Sequence, residues 1–245
     1  MADSFSFNSV DMSTYGLRLR SHEEPFTQER ENIQLRNRAY GLDSYRPPVP
    51  FTLDVAISAA DIATLKSYLD SIKSILNKRV DRQLILDTFT DRYWMARFVS
   101  MTGSITTATA WEGEITFSAD DPAAFSTTET DNDHTVDEDP EEITETAGGT
   151  ERVEPVYLLT CDDTLTDTTV IIENETTGET LEWTGDLVAD DELEIDVVNC
   201  TVKLNDVLDM LTVEGQFPSL LPGANTINVS GFSGTFNATY RARYV

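Results

Sequence analysis

The side chains able to do chemistry are mostly carboxylates: 44 Asp and Glu stand beside two histidines, His22 and His134, and two cysteines, Cys161 and Cys200. Two carboxylates about 5–10 Å apart are enough for a glycosidase, but with so many candidates no pair is singled out. No G-x-S-x-G elbow and no glycine-rich phosphate loop is present. Both histidines fall in segments that read as loops, so no nucleophile is matched with a base. The reading is therefore of a protein that is not an enzyme, with no catalytic residue and no cofactor. The densest acidic cluster is Asp131, Asp133, Asp137, Glu138, Asp139, Glu141 and Glu142. It lacks the sixth-position glycine and the spaced glutamate of an EF-hand loop, and reads as a solvated acidic loop. Cys161 and Cys200 lie in predicted strands and read as buried free thiols, with a disulfide the alternative. Zinc would need histidines nearby, so no metal site is expected.

The charge is unevenly placed. Residues 110–200 hold 28 acidic residues and one basic residue, Arg152, a net of −27; the remainder holds 16 of each. A surface this acidic repels nucleic acid and anionic lipid, which excludes a DNA-binding role for that region. Only four of the 17 basic residues are lysine. Dense carboxylates in a lysine-poor chain fit a salt-loving host, where their repulsion is screened within about 3 Å at 1 M salt. An acidic outer domain from an ordinary host is the alternative. No apolar run of about 18 residues predicts a membrane span. Residues 1–20 carry Asp3 and Asp11 without an apolar core, so no export signal is expected.

The elements that must position these groups are mainly β. Phe5, Phe7 and Val10, then Leu17 and Leu19 alternating with Arg18 and Arg20, predict two strands. Residues 21–50 lack periodicity and read as a long arm or irregular loop. Phe51, Leu53, Val55 and Ile57 mark a strand that leads into the one principal helix, whose stripe is Ile62, Leu65, Leu69, Ile72 and Leu76. Ser58 with Asp61 resembles a capping box. The helix is expected to lie on the next hairpin, from Leu84 and Leu86 to Tyr93–Val99, with short strands Ser104–Ala110 and Glu114–Phe117 after it. Residues 123–154 are rich in Thr, Asp and Glu and read as an acidic linker or surface loop. From Pro155 onward, seven short alternating runs predict a β-sandwich. The domain expectation is 1–122, a linker at 123–154, and 155–245.

Several stretches resemble the distal tail proteins of siphovirus-type tailed viruses. They are Phe5-Ser-Phe7-Asn8 with Thr14-Tyr15-Gly16-Leu17, Arg82–Asp87 after the helix, Tyr93–Arg97, and the closing Ile115–Pro122. Phe217-Pro-Ser-Leu220 and Leu221–Ile227 complete the set. The arm at 21–50 and the acidic insert at 123–154 depart from the family pattern. The resemblance implies a ring-forming N-terminal β domain with a helix and a C-terminal galectin-like or carbohydrate-module-like sandwich that projects outward. It further implies a homo-hexamer at the tail tip, in the virion after assembly in the host cytoplasm. The implied partners are the tail tube protein, the tail hub or tail-associated protein, and the receptor-binding protein.

The rival reading is a carbohydrate-binding sandwich acting in host-surface adhesion, with Tyr157, Trp183 and Phe232 as stacking platforms. The bland alternative places these aromatics in the core. Arg18, Arg20, Arg30, Arg36 and Arg38 are either ordinary surface charge or interface residues facing a neighbouring subunit or the tube, a task suited to the planar guanidinium. The sequons at Asn174, Asn199, Asn228 and Asn237 are formal matches only.

Overall fold

The apolar stripe of the helix is its buried face. In the computed structural model, which describes residues 3–22, 32–35, 38–41, 49–121 and 123–245, α1 spans Ile62–Leu76 and buries Leu65, Leu69, Ile72 and Leu76. Burial of these four contributes about 1.5–3 kcal/mol each. Ile62 stays partly exposed at the first turn. The cap is Asp61 itself rather than Ser58: its carboxylate accepts the Thr64 N–H at 2.8 Å. That bond holds the Asp61 carboxyl below the usual carboxylate range. Tyr68 of α1 meets Tyr15 edge-on at 6.0 Å between ring centres.

The chain forms two units, Met1–Thr127 with Val245, and Thr128–Tyr244. The first contains β1 (Phe5–Phe7), β2 (Val10–Asp11), a 3-10 helix (Met12–Tyr15) and β3 (Leu17–His22). Then come β4 (Asn32–Leu35), β5 (Arg38–Gly41), β6 (Val49–Ser58), α1, β7 (Arg82–Leu86), β8 (Arg92–Thr107), β9 (Ala110–Ala119) and β10 (Ala124–Ser126). The main sheet runs β2-β1-β7-β8-β9-β6-β3, every neighbouring pair antiparallel, with β10 also pairing β8. Two expectations change here. The arm contains an antiparallel hairpin, β4 with β5. Ser104–Thr107 is the far end of β8 rather than a separate strand, because a short turn at Ala108–Thr109 joins it to β9.

Side-chain alternation gives this sheet one apolar face and one polar face. Leu17, Ile57, Trp111 and Ile105 share a rung across β3, β6, β9 and β8, as do Phe51, Phe117 and Phe98 on the last three of these. Phe117 is the centre of an aromatic cluster, 5.4–6.4 Å from the rings of Phe5, Phe7, Phe51 and Phe98. The Trp111 indole lies over paired Gly103 and Gly113, where added Cβ atoms would stand 2.4 and 2.6 Å from it. Gly16, at φ +64°, turns the chain into β3 so tightly that a Cβ would lie 2.1 Å from the Ser58 carbonyl oxygen. Only glycine meets both demands.

The second unit is a sandwich. Its strands are β11 (Thr130–Val136), β12 (Glu141–Ala147), β13 (Val156–Cys161), β14 (Leu165–Asn174), β15 (Glu179–Leu187) and β16 (Glu192–Asp196). They continue with β17 (Thr201–Leu204), β18 (Val207–Leu208), β19 (Val213–Gly215), β20 (Gly223–Ser230) and β21 (Gly234–Tyr240). One sheet runs β11-β21-β13-β16-β17-β18 and the other β12-β20-β14-β15-β19. Tyr157, Leu159, Ile172, Trp183, Ile195, Ile227 and Phe236 are among the residues of the core between them.

The acidic linker expected at 123–154 is therefore corrected: it supplies β10 and two strands of the sandwich. β11 and β12 pair with β21 and β20 over seven residues each. Their inward positions mix apolar Val136, Ile143 and Ala147 with polar Asn132, His134 and Glu145, and their outward ones are acidic or Thr, which is why the stretch looks unstructured by composition. Asn132 and His134 of β11 turn toward Glu145 of β12, which is fully buried. Its carboxylate accepts from Asn132 Nδ2 at 2.9 Å and from the Tyr240 hydroxyl at 3.1 Å, and it pairs with His134 Nε2 at 2.5 Å. A buried carboxylate is tolerated when its oxygens are met in this way. The outward Asp131 and Asp133 both accept from Asn237 Nδ2, at 2.6 and 2.8 Å. The cysteine expectation holds for Cys161, which is buried and free, and fails for Cys200, which is free but exposed in a turn. Burial raises the Cys161 thiol above its ordinary range.

Candidate assembly interface

The long strands of the first unit are not covered along their whole length. β7 pairs β8 only at Trp94, Met95 and Ala96. From Arg97 to Thr107, the β7 side of β8 has no partner strand among the described residues, while its other side is paired to β9. At the opposite margin, β3 is paired to β6 on one side. On its other side, among the described residues, the Leu19 N–H donates to the Asp3 carbonyl at 2.8 Å. Among the described residues, the four-strand portion β8-β9-β6-β3 thus ends in two edges without a partner strand. Such edges present rows of unpaired amides and carbonyls, which a single chain normally blunts.

The chemistry along these edges is mixed. Val99 and Ile105 on β8 are exposed apolar side chains. Thr102, Ser104 and Thr106 add small polar ones. Arg97, where the open run begins, bonds Asp120 at 3.1 Å and lies 3.9 Å from Asp81. On the polar face of the sheet, Arg18 shares a rung with Ala56, Glu112 and Ser104. Thr52 and Thr116 hydroxyls meet at 3.2 Å.

Of the arginines singled out in the sequence, Arg18 and Arg20 stand on β3, both exposed. Arg20 pairs with Glu112 of the same chain at 3.2 Å, an exposed contact that contributes little to stability. Arg38 opens β5; Arg30 and Arg36 lie outside the described residues. The structure brings Arg18 and Arg20 to one sheet margin. The open run of β8 was not visible in the sequence, since which strand edges stay bare depends on non-local pairing. The exposed valine and isoleucine within it are its only local signal.

The stacking platforms are corrected. Tyr157 and Trp183 are fully buried and Phe232 is 5% exposed. Tyr157 packs against Phe236 at 5.2 Å and donates its hydroxyl to the Pro218 carbonyl at 3.1 Å. Trp183 donates its indole N–H to Asp209 Oδ2 at 3.2 Å. None of the three rings offers a face to a sugar. Each sits at an inward position of its strand or loop, where alternation demands an apolar group. The sequon at Asn174 is likewise interior: its amide donates to the Ser219 carbonyl at 2.6 Å.

The second unit also carries a brace at Glu179. Its carboxylate meets Arg152 at 2.6 Å and accepts from the Ser219 backbone and hydroxyl at 2.9 and 2.8 Å. Desolvation pushes this carboxyl upward, but the two Ser219 bonds and the Arg152 charge together outweigh it and leave it below the usual range.

Comparison with known proteins agrees with this architecture. No curated protein matches the chain in sequence. Residues 148–244 match the family described as siphovirus-type tail component, C-terminal domain. Among solved structures, the chain is similar to SPP1 Dit, described as a paradigm of the hub adsorption apparatus in phages infecting Gram-positive bacteria. That similarity has a TM-score of 0.76 at 12% identity and covers 100% of both chains. It is also similar to chains of the phage P2 baseplate in its activated conformation with Ca or with Sr, each with a TM-score of 0.50 at 10% identity over 98% of both chains. The chain is thus similar in fold to SPP1 Dit from end to end, and its residues 148–244 match the C-terminal domain of the siphovirus-type tail components.

Proposed function

We propose that this chain is a structural, non-enzymatic virion protein that forms a ring at the distal end of a long non-contractile tail. Six copies join the tail tube to the hub and receptor-binding apparatus, in particles assembled in the host cytoplasm. The observation that carries this reading is the pair of edges on one sheet that lack a partner strand among the described residues, β3 at one margin and residues 97–107 of β8 at the other. Two different edges that pair copy to copy form a heterologous contact, and a heterologous contact closes into a ring when its rotation permits. Each backbone hydrogen bond gained across such a junction contributes about 0.5–1.5 kcal/mol net, repeated at every interface. Arg18 and Arg20 lie on the β3 margin, where they would face the neighbouring copy. The charge distribution supports the same arrangement. The second unit holds 27 acidic and four basic residues, so copies of it repel one another, whereas the first carries the contacts.

The mass of the purified protein is measured by light scattering at 0.1 M and 1 M salt, for the wild type and for a variant with Met101→Pro and Ile105→Pro. Thr102 and Ser104 are paired with Glu114 and Glu112 of β9, so the backbone N–H groups of the alternate residues Met101 and Ile105 face the open side. Proline at those two positions removes edge donors while leaving the ladder to β9. The wild type is expected near six protomers, more completely at 1 M salt, and the double proline variant as protomer. A ring that survives both prolines sinks the edge-pairing account. A wild-type monomer at both salts that also fails to form rings on tail tubes sinks the ring itself.

A further inference from the structure

The four most exposed large apolar side chains among the described residues belong to one stretch of the acidic unit: Leu211 is 98% exposed, Val207 69%, Val198 65% and Leu208 61%. Single exposed apolar residues are ordinary, whereas a contiguous set marks a contact surface. Their placement is set by register. Leu204 faces Val207 and Lys203 faces Leu208 across β17 and β18. The chain then continues back along β17: Asp209 N–H donates to the Val202 carbonyl at 2.9 Å, and Val202 N–H to the Met210 sulfur at 3.1 Å. That course leads toward the β16–β17 turn, where Val198 stands.

This ledge is held in place. The buried Trp183 indole bonds the Asp209 carboxylate, so residues 207–211 are tied to the core of the sandwich rather than hanging from it. An ordered apolar surface has already lost the conformational freedom that a mobile loop would lose on binding. β18 is also the last strand of its sheet.

The surrounding charge selects the occupant. All four basic residues of the unit are engaged within it: Arg152 with Glu179, Lys203 with Glu194, Arg241 with Glu129 and Arg243 with Glu154. Asp206 and Glu214 flank the ledge along the chain, and Asp196 closes the turn that carries Val198. A second copy would bring the same carboxylates against these, and an anionic lipid or nucleic acid would be repelled. We infer that the ledge docks a segment of a different protein in which apolar side chains alternate with lysine or arginine. Apolar contact would supply the affinity and the basic residues the orientation. The inference concerns the acidic unit alone and does not depend on the ring.

Three synthetic peptides of equal length, alternating Leu with Lys, Ser with Lys and Leu with Glu, are titrated against the full chain at 0.15 M salt. The same titrations use a Leu208→Ser, Leu211→Ser variant, whose melting temperature and particle mass should match the wild type because both side chains are exposed. The Leu/Lys peptide is expected to bind the wild type and to weaken at least tenfold on the variant. The Ser/Lys peptide should bind at least tenfold more weakly than Leu/Lys, and the Leu/Glu peptide not at all. Equal binding to wild type and variant, or by Ser/Lys and Leu/Lys, means contact by charge alone and overturns the ledge. Equal binding by Leu/Glu overturns the basic character of the partner. Absence of binding by every peptide overturns the inference as a whole.

Discussion

The two units solve opposite problems with the same antiparallel pairing. The first keeps an ordinary apolar interior and, among the described residues, leaves one side of β8 without a partner strand from Arg97 to Thr107. The second carries a net charge of −23, from 27 acidic and four basic residues, and buries Glu145, Asn174 and Asn225 inside the sandwich, each with its polar atoms bonded. Bare strand edges favour pairing between chains where charge is nearly balanced. Solubility and resistance to non-specific contact belong where like charges crowd the surface. The open edge and the acidic coat are kept in separate stretches of chain.

The comparison is broken most severely through the interiors. Phe117→Ala removes the ring that Phe5, Phe7, Phe51 and Phe98 share, and should destabilise the first unit by about 3–5 kcal/mol in chemical denaturation. A loss below about 1 kcal/mol would mean that this cluster is not the core of that unit. In the second unit, His134→Ala leaves a fully buried carboxylate short of one partner, with an expected loss of about 2–3 kcal/mol. His134→Gln, which can donate through its amide, should recover part of it. Similar losses for both variants would show that imidazole packing, rather than the bond to Glu145, holds β11 against β12.

Smaller effects sharpen the contrast. Thermal melts from 0.1 M to 1 M salt should raise the transition of residues 128–244 more than that of residues 1–127, because the Debye length falls from about 10 Å to about 3 Å. Equal shifts would remove charge as the difference between the units. The smallest expected change is at Glu179. Its carboxyl is lower in the folded protein than in the unfolded chain, so its contribution is complete above the ordinary glutamate pKa of about 4.3. That contribution is lost as pH falls through the folded value. Wild-type and Glu179→Gln melting temperatures should therefore differ at pH 7 and converge as pH drops below about 4. A gap that stays constant down to pH 2 would show that the Ser219 and Arg152 contacts do not depend on the charge.

Local pattern determined much of the architecture. The stripe from Leu65 to Leu76 placed α1, since a period of three and four admits one geometry. The seven alternating runs after Pro155 all became sandwich strands. The acidic chemistry was equally plain, because charge is a property of composition. Two short strands, Val207–Leu208 and Val213–Gly215, are too brief to alternate and were not legible. β11 and β12 were hidden for a different reason: beside Val136, Ile143 and Ala147 their inward side chains include Asn132, His134 and Glu145, acceptable inside because Asn132 and His134 both bond the Glu145 carboxylate.

The tertiary structure alone decided which edges remain bare, which aromatics face inward, and where the exposed valines and leucines gather. Tyr157, Trp183 and Phe232 are as compatible with a sugar platform as with a core until both sheets are present to cover them. Arg20 reads as free charge until β9 brings Glu112 beside it. The sequence determined element type and charge because these depend on neighbours a few residues away. Pairing, burial and open edges depend on residues tens of positions apart, and only the folded chain brings those together.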